Sequence, residues 1–411
     1  MGSALPVSIQ KTCCGEFIQK TGLQFAKSVE IRGHSSEIQP SLSGFPLYCR
    51  PMNEPRLHPV RILLLLTMPF IHLTARAQNF GSPLDILIKE TNARTAALGG
   101  VNVSLMDDDV QMISGNPALA NGKMAKVLGM TYNPSLAGIR QYNTAYCDTV
   151  SFIGESGASL FGNLQYLDYG KFSMTDPAGM PLGNFTANQY AASLGLAGKK
   201  GNFRLGAALK FTNFQINALN SNAICADLGV VYRHPQKDLT YGFSIRNLGF
   251  QLQKFYEDGA AMPIPINLQT GFSYRLSHMP LRISATAFYL QETDIQYLNP
   301  NDPGKLDITG KLVKEEKKIT EQIARHLCLG GEFLLSKSFN IRLGYNHLRR
   351  KELKTETGAG LTGYSVGFVI NTRPLNLAYS WSAWQRGAGL HFLSMNLRIN
   401  NFYRKEISNG Q

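Results

Sequence analysis

The sequence predicts an all-β protein: a closed antiparallel outer-membrane β-barrel of about fourteen strands, preceded by a short N-terminal helical plug segment. Three observations predict it. From about residue 125 onward, apolar residues recur at every second position, the period of a strand with one greasy face. Phe203, Leu205, Ala207, Leu209 and Phe211 alternate with Arg204, Gly206, Ala208, Lys210 and Thr212, and Leu393, Met395, Leu397 and Ile399 with Ser394, Asn396, Arg398 and Asn400. Most alternating segments run 11–15 residues. Soluble sandwich strands are usually about 5–6 residues, whereas a tilted strand needs roughly 9–11 to cross a bilayer.

The third observation is loop length. Connections after odd-numbered strands include the long segments 168–185, 250–263, 292–322 and 350–360; those after even-numbered strands include 200–201, 234–237, 278–279, 337–338 and Arg373 alone. Outer-membrane barrels put long loops outside the cell and tight turns inside, whereas a sandwich has no reason to sort loops by strand parity. Lipid also forces closure, because unpaired strand edges do not survive in hydrocarbon.

Composition agrees. Across 411 residues, 17% are charged and 44% apolar, and the 39 Gly show no three-residue period. Collagen, coiled coil and wholesale disorder are excluded. Only the segment 60–75 approaches a long apolar run, and it is too short to span as a helix.

In chain order, residues 1–51 read as a leader from an over-extended gene start. Their Ser8-Ile9-Gln10-Lys11 and Lys20-Thr21-Gly22 match penicillin-binding signatures by chance, lying too close together for that fold. Residues 52–77 have a basic start, an apolar stretch and the small-x-small end Ala75-Arg76-Ala77, the pattern of a cleaved signal peptide. The leader and signal carry 8 basic and 4 acidic residues, so the remainder has 33 − 24 = +9. That excess is spread along the chain, with no nucleic-acid-binding motif, and suits phosphorylated lipid head groups such as lipopolysaccharide. Cys147, Cys225 and Cys328 remain, too few and too scattered for a disulfide framework or zinc site. No cofactor, metal or catalytic residue is expected.

Residues 78–124 form the plug-like segment. They do not alternate, and contain Leu84, Ile86, Leu87 and Ile88, then 93–100 with Ala93, Arg94, Gly99 and Gly100, the acidic run Asp107-Asp108-Asp109, and Asn116-Pro117-Ala118-Leu119. One or two short helices are expected inside or beneath the barrel, with Gly99-Gly100 letting backbone approach the wall. The acidic run has calcium-type oxygens without calcium-loop spacing, so it reads as a helix N-cap, partly neutralised by Arg204, Arg246 or Arg282.

Strands are then placed at 125–133, 136–147, 156–167, 186–199, 202–216, 221–233, 238–249, 264–277, 280–291, 323–336, 339–349, 361–372, 374–384 and 389–400, within a barrel region 125–403 and ahead of a tail, 404–411.

The runs 93–104, Asp107-Asp108-Asp109 and Asn116-Pro117-Ala118-Leu119 resemble the entry segment of the FadL-like outer-membrane barrels of Bacteroidetes. With 166–172, 226–230, Arg246-Asn247-Leu248-Gly249, 342–346 and 349–353, the resemblance narrows to the PorQ family of the type IX secretion system and covers essentially 80–400. It implies a non-catalytic barrel, in a cell-surface attachment complex, that holds a PorZ-like surface protein alongside PorU and PorV. Long outer loops would do the docking, above all the charged insertion with Lys314, Glu315, Glu316, Lys317 and Lys318. The other reading is a FadL-like transporter of hydrophobic small molecules. It would want a greasy lumen track, for which Phe161, Phe288 and Phe392 are the inward candidates, and a kink in one strand. An enzyme would need a nucleophile and base; His326, set on the polar face of a strand, has neither G-x-S-x-G nor H-x-x-x-H with it.

Overall fold

The alternation resolves into a cylinder with its greasy side outward. The computed structural model describes residues 84–150, 158–296, 305–306, 312–313, 318–354, 360–385 and 387–399. The leader 1–51, the signal 52–77 and the tail 404–411 lie outside the described residues.

Fourteen strands form one closed antiparallel barrel: β1 (Val127–Pro134), β2 (Arg140–Val150), β3 (Ala158–Thr175), β4 (Pro181–Lys200), β5 (Phe203–Ile216), β6 (Leu219–Arg233), β7 (Leu239–Gln253), β8 (Asn267–Arg275), β9 (Leu281–Ala287), β12 (Leu327–Phe333), β13 (Phe339–Asn346), β14 (Tyr364–Asn371), β15 (Leu375–Gln385) and β16 (Ala388–Arg398). A separate hairpin, β10 (Lys305–Leu306) with β11 (Leu312–Val313), sits in the insertion. Each barrel strand pairs with the next barrel strand in the chain, β9 with β12 across the insertion, and β1 closes on β16 through Val127↔Arg398 to Tyr132↔Leu393.

Inside and outside are inverted relative to a water-soluble fold. Leu194 is 70% exposed and Leu209 66%, and Leu164, Leu205 and Leu393 also face out. Gln141, Asn143, Gln165, Gln189, Thr212, Gln269, Ser380 and Asn396 are buried inside. Water would penalise such a surface; hydrocarbon does not. Tyr132, Tyr142, Tyr166 and Tyr190 stand side by side on β1 to β4 through the pairs Tyr132↔Tyr142, Tyr142↔Tyr166 and Tyr166↔Tyr190. They form part of an aromatic belt of the kind found at a membrane interface.

The structure moves several expected boundaries. The stretch 168–185 is no loop: β3 and β4 continue through Lys171↔Thr186 to Thr175↔Pro181, leaving only 176–180 as the turn. Backbone pairing needs N–H and C=O groups rather than an apolar period, so strands that run beyond the lipid lose the sequence signal but keep the ladder. The expected strand 323–336 begins only at Leu327; residues Ile319–Arg325 are helix α2, in which Glu321 and Arg325 pair four residues apart at 3.4 Å. The expected strand 339–349 ends at Asn346, whose side chain accepts from Arg349 N at 3.0 Å and starts helix α3 (His347–Glu352).

Candidate functional site

The lumen is filled by residues 84–124. Their first helix, α1 (Ala93–Ala97), is capped by Asn92, which accepts from Thr95 N at 2.8 Å. Ala93 N donates to Ser394 Oγ on the wall at 2.8 Å. Asp109 caps the 3-10 turn Val110–Ser114, accepting from Gln111 N at 3.2 Å. Asn116 caps Pro117–Leu119 and donates to Val103 O at 2.9 Å.

The wall receives this backbone at glycines. A Cβ on Gly344 would collide with Gly99 N and Leu98 C, one on Gly242 with Val103 O, and one on Gly206 with Pro117 and Ala118. Gly99 itself has φ +95° and sits against Cys328 and Tyr345. The three cysteines among the described residues, Cys147, Cys225 and Cys328, are free and buried. Phe161 and Phe392, candidates for a greasy track, instead pack plug residues: Phe161 lies in a cluster with Val110 and Ile113, and Phe392 with Ala93 and Ala96.

An ion-pair cluster locks the plug towards the inner end, where the short turns lie. Arg94 contacts Glu332 on β12 at 2.9 Å and Asp107 at 2.6 Å. Glu332 also holds Arg342 at 2.9 Å and Arg282 at 3.1 Å, and Arg282 reaches Asp107 at 3.2 Å. Asp108 pairs with Arg398, and Asn396 donates to Asp109 at 2.9 Å. Of the three arginines expected to neutralise the acidic run, only Arg282 does so. Arg204 and Arg246 bond the plug's backbone instead, at Ala120 O and Leu87 O. Their positions on β5 and β7 put them against carbonyls at the ends of two 3-10 turns, Asp85–Leu87 and Pro117–Leu119. A polar cavity of about 200 Å³ adjoins this cluster, lined by Asn92, Arg94, Asp107, Glu332 and Arg342 among others.

A second cavity, about 330 Å³, opens on the other side of α1, towards the end that bears the long connections. Ile88, Val101, Phe288, Tyr289, Leu348 and Trp384 supply its apolar walls. Asp85, Lys89, Glu90, Arg246, Gln269, Arg349 and Glu352 supply its polar ones. Helix α3 roofs it: Arg349 pairs with Glu90 of the plug, donates to Ser382 Oγ at 2.7 Å and lies 4.9 Å from the Trp384 ring centre. Helix α2 braces α3 through Glu321, which meets His347 and Lys351, each at 3.1 Å. Glu352 stands at the mouth, where the surrounding protein desolvates its carboxyl and pushes it up to about 7, against the pull of Arg325.

The sequence-predicted residues thus separate. Ala93, Arg94, Gly99, Gly100, Asp107, Asp108, Asp109, Asn116 and Pro117 meet in the plug and its contacts with the wall. Lys314, Glu315, Glu316 and Lys317 lie outside the described residues, and Lys318 is an exposed residue preceding α2. His326 is not on a strand; it ends α2, with Nδ1 2.8 Å from Phe288 O. The cavity residues Gln269, Arg349 and Glu90 and the lock residue Glu332 were missed. Glu332 had a signal, a carboxylate at an inward-facing strand position; the others had none, because their meeting depends on barrel closure. A kink was legible only in shape: β6 and β7 shift register between Ala226 and Leu228, opposite Asn247, which has φ +60°. Buried Lys210 and Asp227 pair there at 2.7 Å.

These features define a membrane-spanning barrel of the outer-membrane class with a locked plug and a cavity on each side of it. No family model and no curated protein matches the chain. Among solved structures the barrel is similar to the toluene transporter TbuX of Ralstonia pickettii, at 11% identity over 76% of this chain and 97% of that one, with a TM-score of 0.43. It is similar also to a FadL homologue of Pseudomonas aeruginosa, at 11% identity over 76% and 99%, with a TM-score of 0.41. A third is Omp33 of Acinetobacter baumannii, at 6% identity over 66% and 97%, with a TM-score of 0.34. The first two are FadL-family outer-membrane barrels.

Proposed function

We propose that the chain is a plugged outer-membrane passage for small molecules with a hydrophobic body. The observation that carries this reading is the outer cavity: an aromatic and aliphatic pocket open towards the long-loop end, floored by a plug that ion pairs hold in place. A molecule would enter between α3 and Phe288, lose water against Phe288, Tyr289 and Trp384, and wait on the release of α1. Toluene is the cargo named for one of the similar barrels; the reading here rests on this chain's own lumen. The test is uptake of labelled toluene from dilute medium by cells with and without the chain. Deletion should slow uptake several-fold, and Phe288→Ala with Trp384→Ala should do the same. Equal uptake by both cell types would remove the reading.

A second reading is favoured by the β3–β4 ribbon. Beyond the tyrosine belt it carries exposed Phe172, Met174, Met180 and Leu182, an apolar surface set outside the lipid. On this reading the chain is a type IX secretion component of the PorQ kind, anchoring a PorZ-like surface protein near PorU, PorV and lipopolysaccharide. Pull-down from detergent-solubilised outer membranes should recover that partner, and removal of 172–184 should lose it. Retention of the partner after removal of 168–185, 250–263 and 292–322 in turn would end this reading.

A further inference from the structure

The outer cavity holds buried hydrogen-bonding groups that no other described residue satisfies. Gln269 is 1% exposed and lines the cavity, and among the described residues neither its Oε1 nor its Nε2 has a partner. The Nε of Arg246 is likewise buried and has no partner among the described residues, although its Nη2 donates to Leu87 O at 3.3 Å. The two side chains are neighbours by register. Arg246 stands opposite Asn267, and Ser244 opposite Gln269, so Arg246 and Gln269 project inward as a diagonal pair on β7 and β8. Next to them β9 delivers Phe288, directly after the pair Thr270↔Ala287. Its ring centre lies 5.3 Å from that of Tyr289.

This arrangement discriminates between head groups. Whichever way its amide is turned, Gln269 offers one donor nitrogen and one acceptor oxygen; Arg246 Nε adds a second donor nitrogen. A hydrocarbon satisfies none of these. A carboxylate takes the two donors but has no proton for the Gln269 oxygen. An amide satisfies all three, since its carbonyl accepts from Arg246 and Gln269 while its N–H donates to Gln269. We propose that the outer cavity binds a small aromatic molecule carrying a neutral amide, with the ring against Phe288 and Tyr289 and the amide on Gln269 and Arg246. The proposal rests on the passage reading and names the head group that the passage selects.

The test uses the purified full barrel in detergent with three probes of like size: benzamide, benzoate and toluene. Trp381→Phe removes one of the chain's 2 tryptophans, so that emission reports Trp384 at the cavity. Benzamide should bind at least ten-fold tighter than either other probe, and Gln269→Met should abolish that preference. Should Gln269→Met fail to fold, as judged by loss of heat-modifiable migration, Gln269→Glu removes the donor alone and should also weaken benzamide ten-fold. Equal affinities, benzamide binding unchanged by both variants, or no saturable binding of any probe would each overturn the proposal. Toluene uptake by cells judges the passage itself separately, so an amide-blind barrel that still speeds uptake would overturn the head group alone.

Discussion

Arg94 on the plug and Glu332 on the wall meet in a two-pronged ion pair, Nε to Oε1 at 2.9 Å and Nη2 to Oε2 at 3.0 Å. It joins residues 238 positions apart in sequence. Both side chains are buried, and Glu332 is shared with Arg282 and Arg342. Removing Glu332 leaves three arginines facing only Asp107 and Asp109. Stripping one partner from a buried pair costs about 3–5 kcal/mol. Glu332→Ala should therefore lower stability in detergent by that amount, read from denaturant midpoints. The double variant with Arg94→Met should regain part of the loss. A single-variant loss below about 1 kcal/mol would show that the pair does not hold the plug.

The plug meets the wall at glycines, and that too can be measured. Gly344→Ala places a carbon against Gly99 N and Leu98 C. Overpacking of this kind costs about 1–3 kcal/mol. Gly198→Ala is the control, since no heavy atom lies within 4 Å of the added carbon. The melting temperature should fall for the first and hold for the second.

The outward leucines test the membrane reading itself. Leu209 is 66% exposed at mid-strand. A cation on the lipid face near the bilayer centre costs about 2–4 kcal/mol. Leu209→Arg should reduce stability and insertion into lipid vesicles by that order, whereas on a water-facing surface it would improve solubility. Recovery of Leu209→Arg in the soluble fraction, folded and free of detergent, would contradict the barrel's orientation.

The mouth of the outer cavity should respond to pH near neutrality. Desolvation pushes Glu352 up to about 7, so its carboxyl is mostly protonated below that pH and charged above it. A raised carboxyl pKa means the folded mouth binds the proton more tightly than the unfolded chain does. Stabilisation from this group is full below the ordinary carboxylate range and is lost as pH rises through about 7. In the Trp381→Phe background, Trp384 emission should titrate with a midpoint near 7, and Glu352→Gln should flatten the curve. An identical midpoint in that variant would assign the titration elsewhere.

Particular elements show how much was legible beforehand. The pattern from Phe203 to Thr212 tells that one face is greasy, and the short turns between even and odd strands tell that this face must meet lipid around a closed cylinder. The plug's presence was legible in the lack of alternation before residue 125, and one of its caps in the acidic run that includes Asp109, because capping is local chemistry; the caps at Asn92 and Asn116 emerged only with the structure. The ribbon of β3 and β4 and the helices α2 and α3 were not, since pairing beyond the lipid leaves no period and short helices leave little.

Sequence alone therefore determined the medium, the strand count and the plug, all of which follow from near-neighbour patterns. Only the tertiary structure decided which inward charges meet. Glu332 could have faced any cation in the lumen until closure and register set it beside Arg94. Gln269 gained its meaning in the same way, because whether a buried amide is satisfied depends on what the opposite strand and the plug leave within reach.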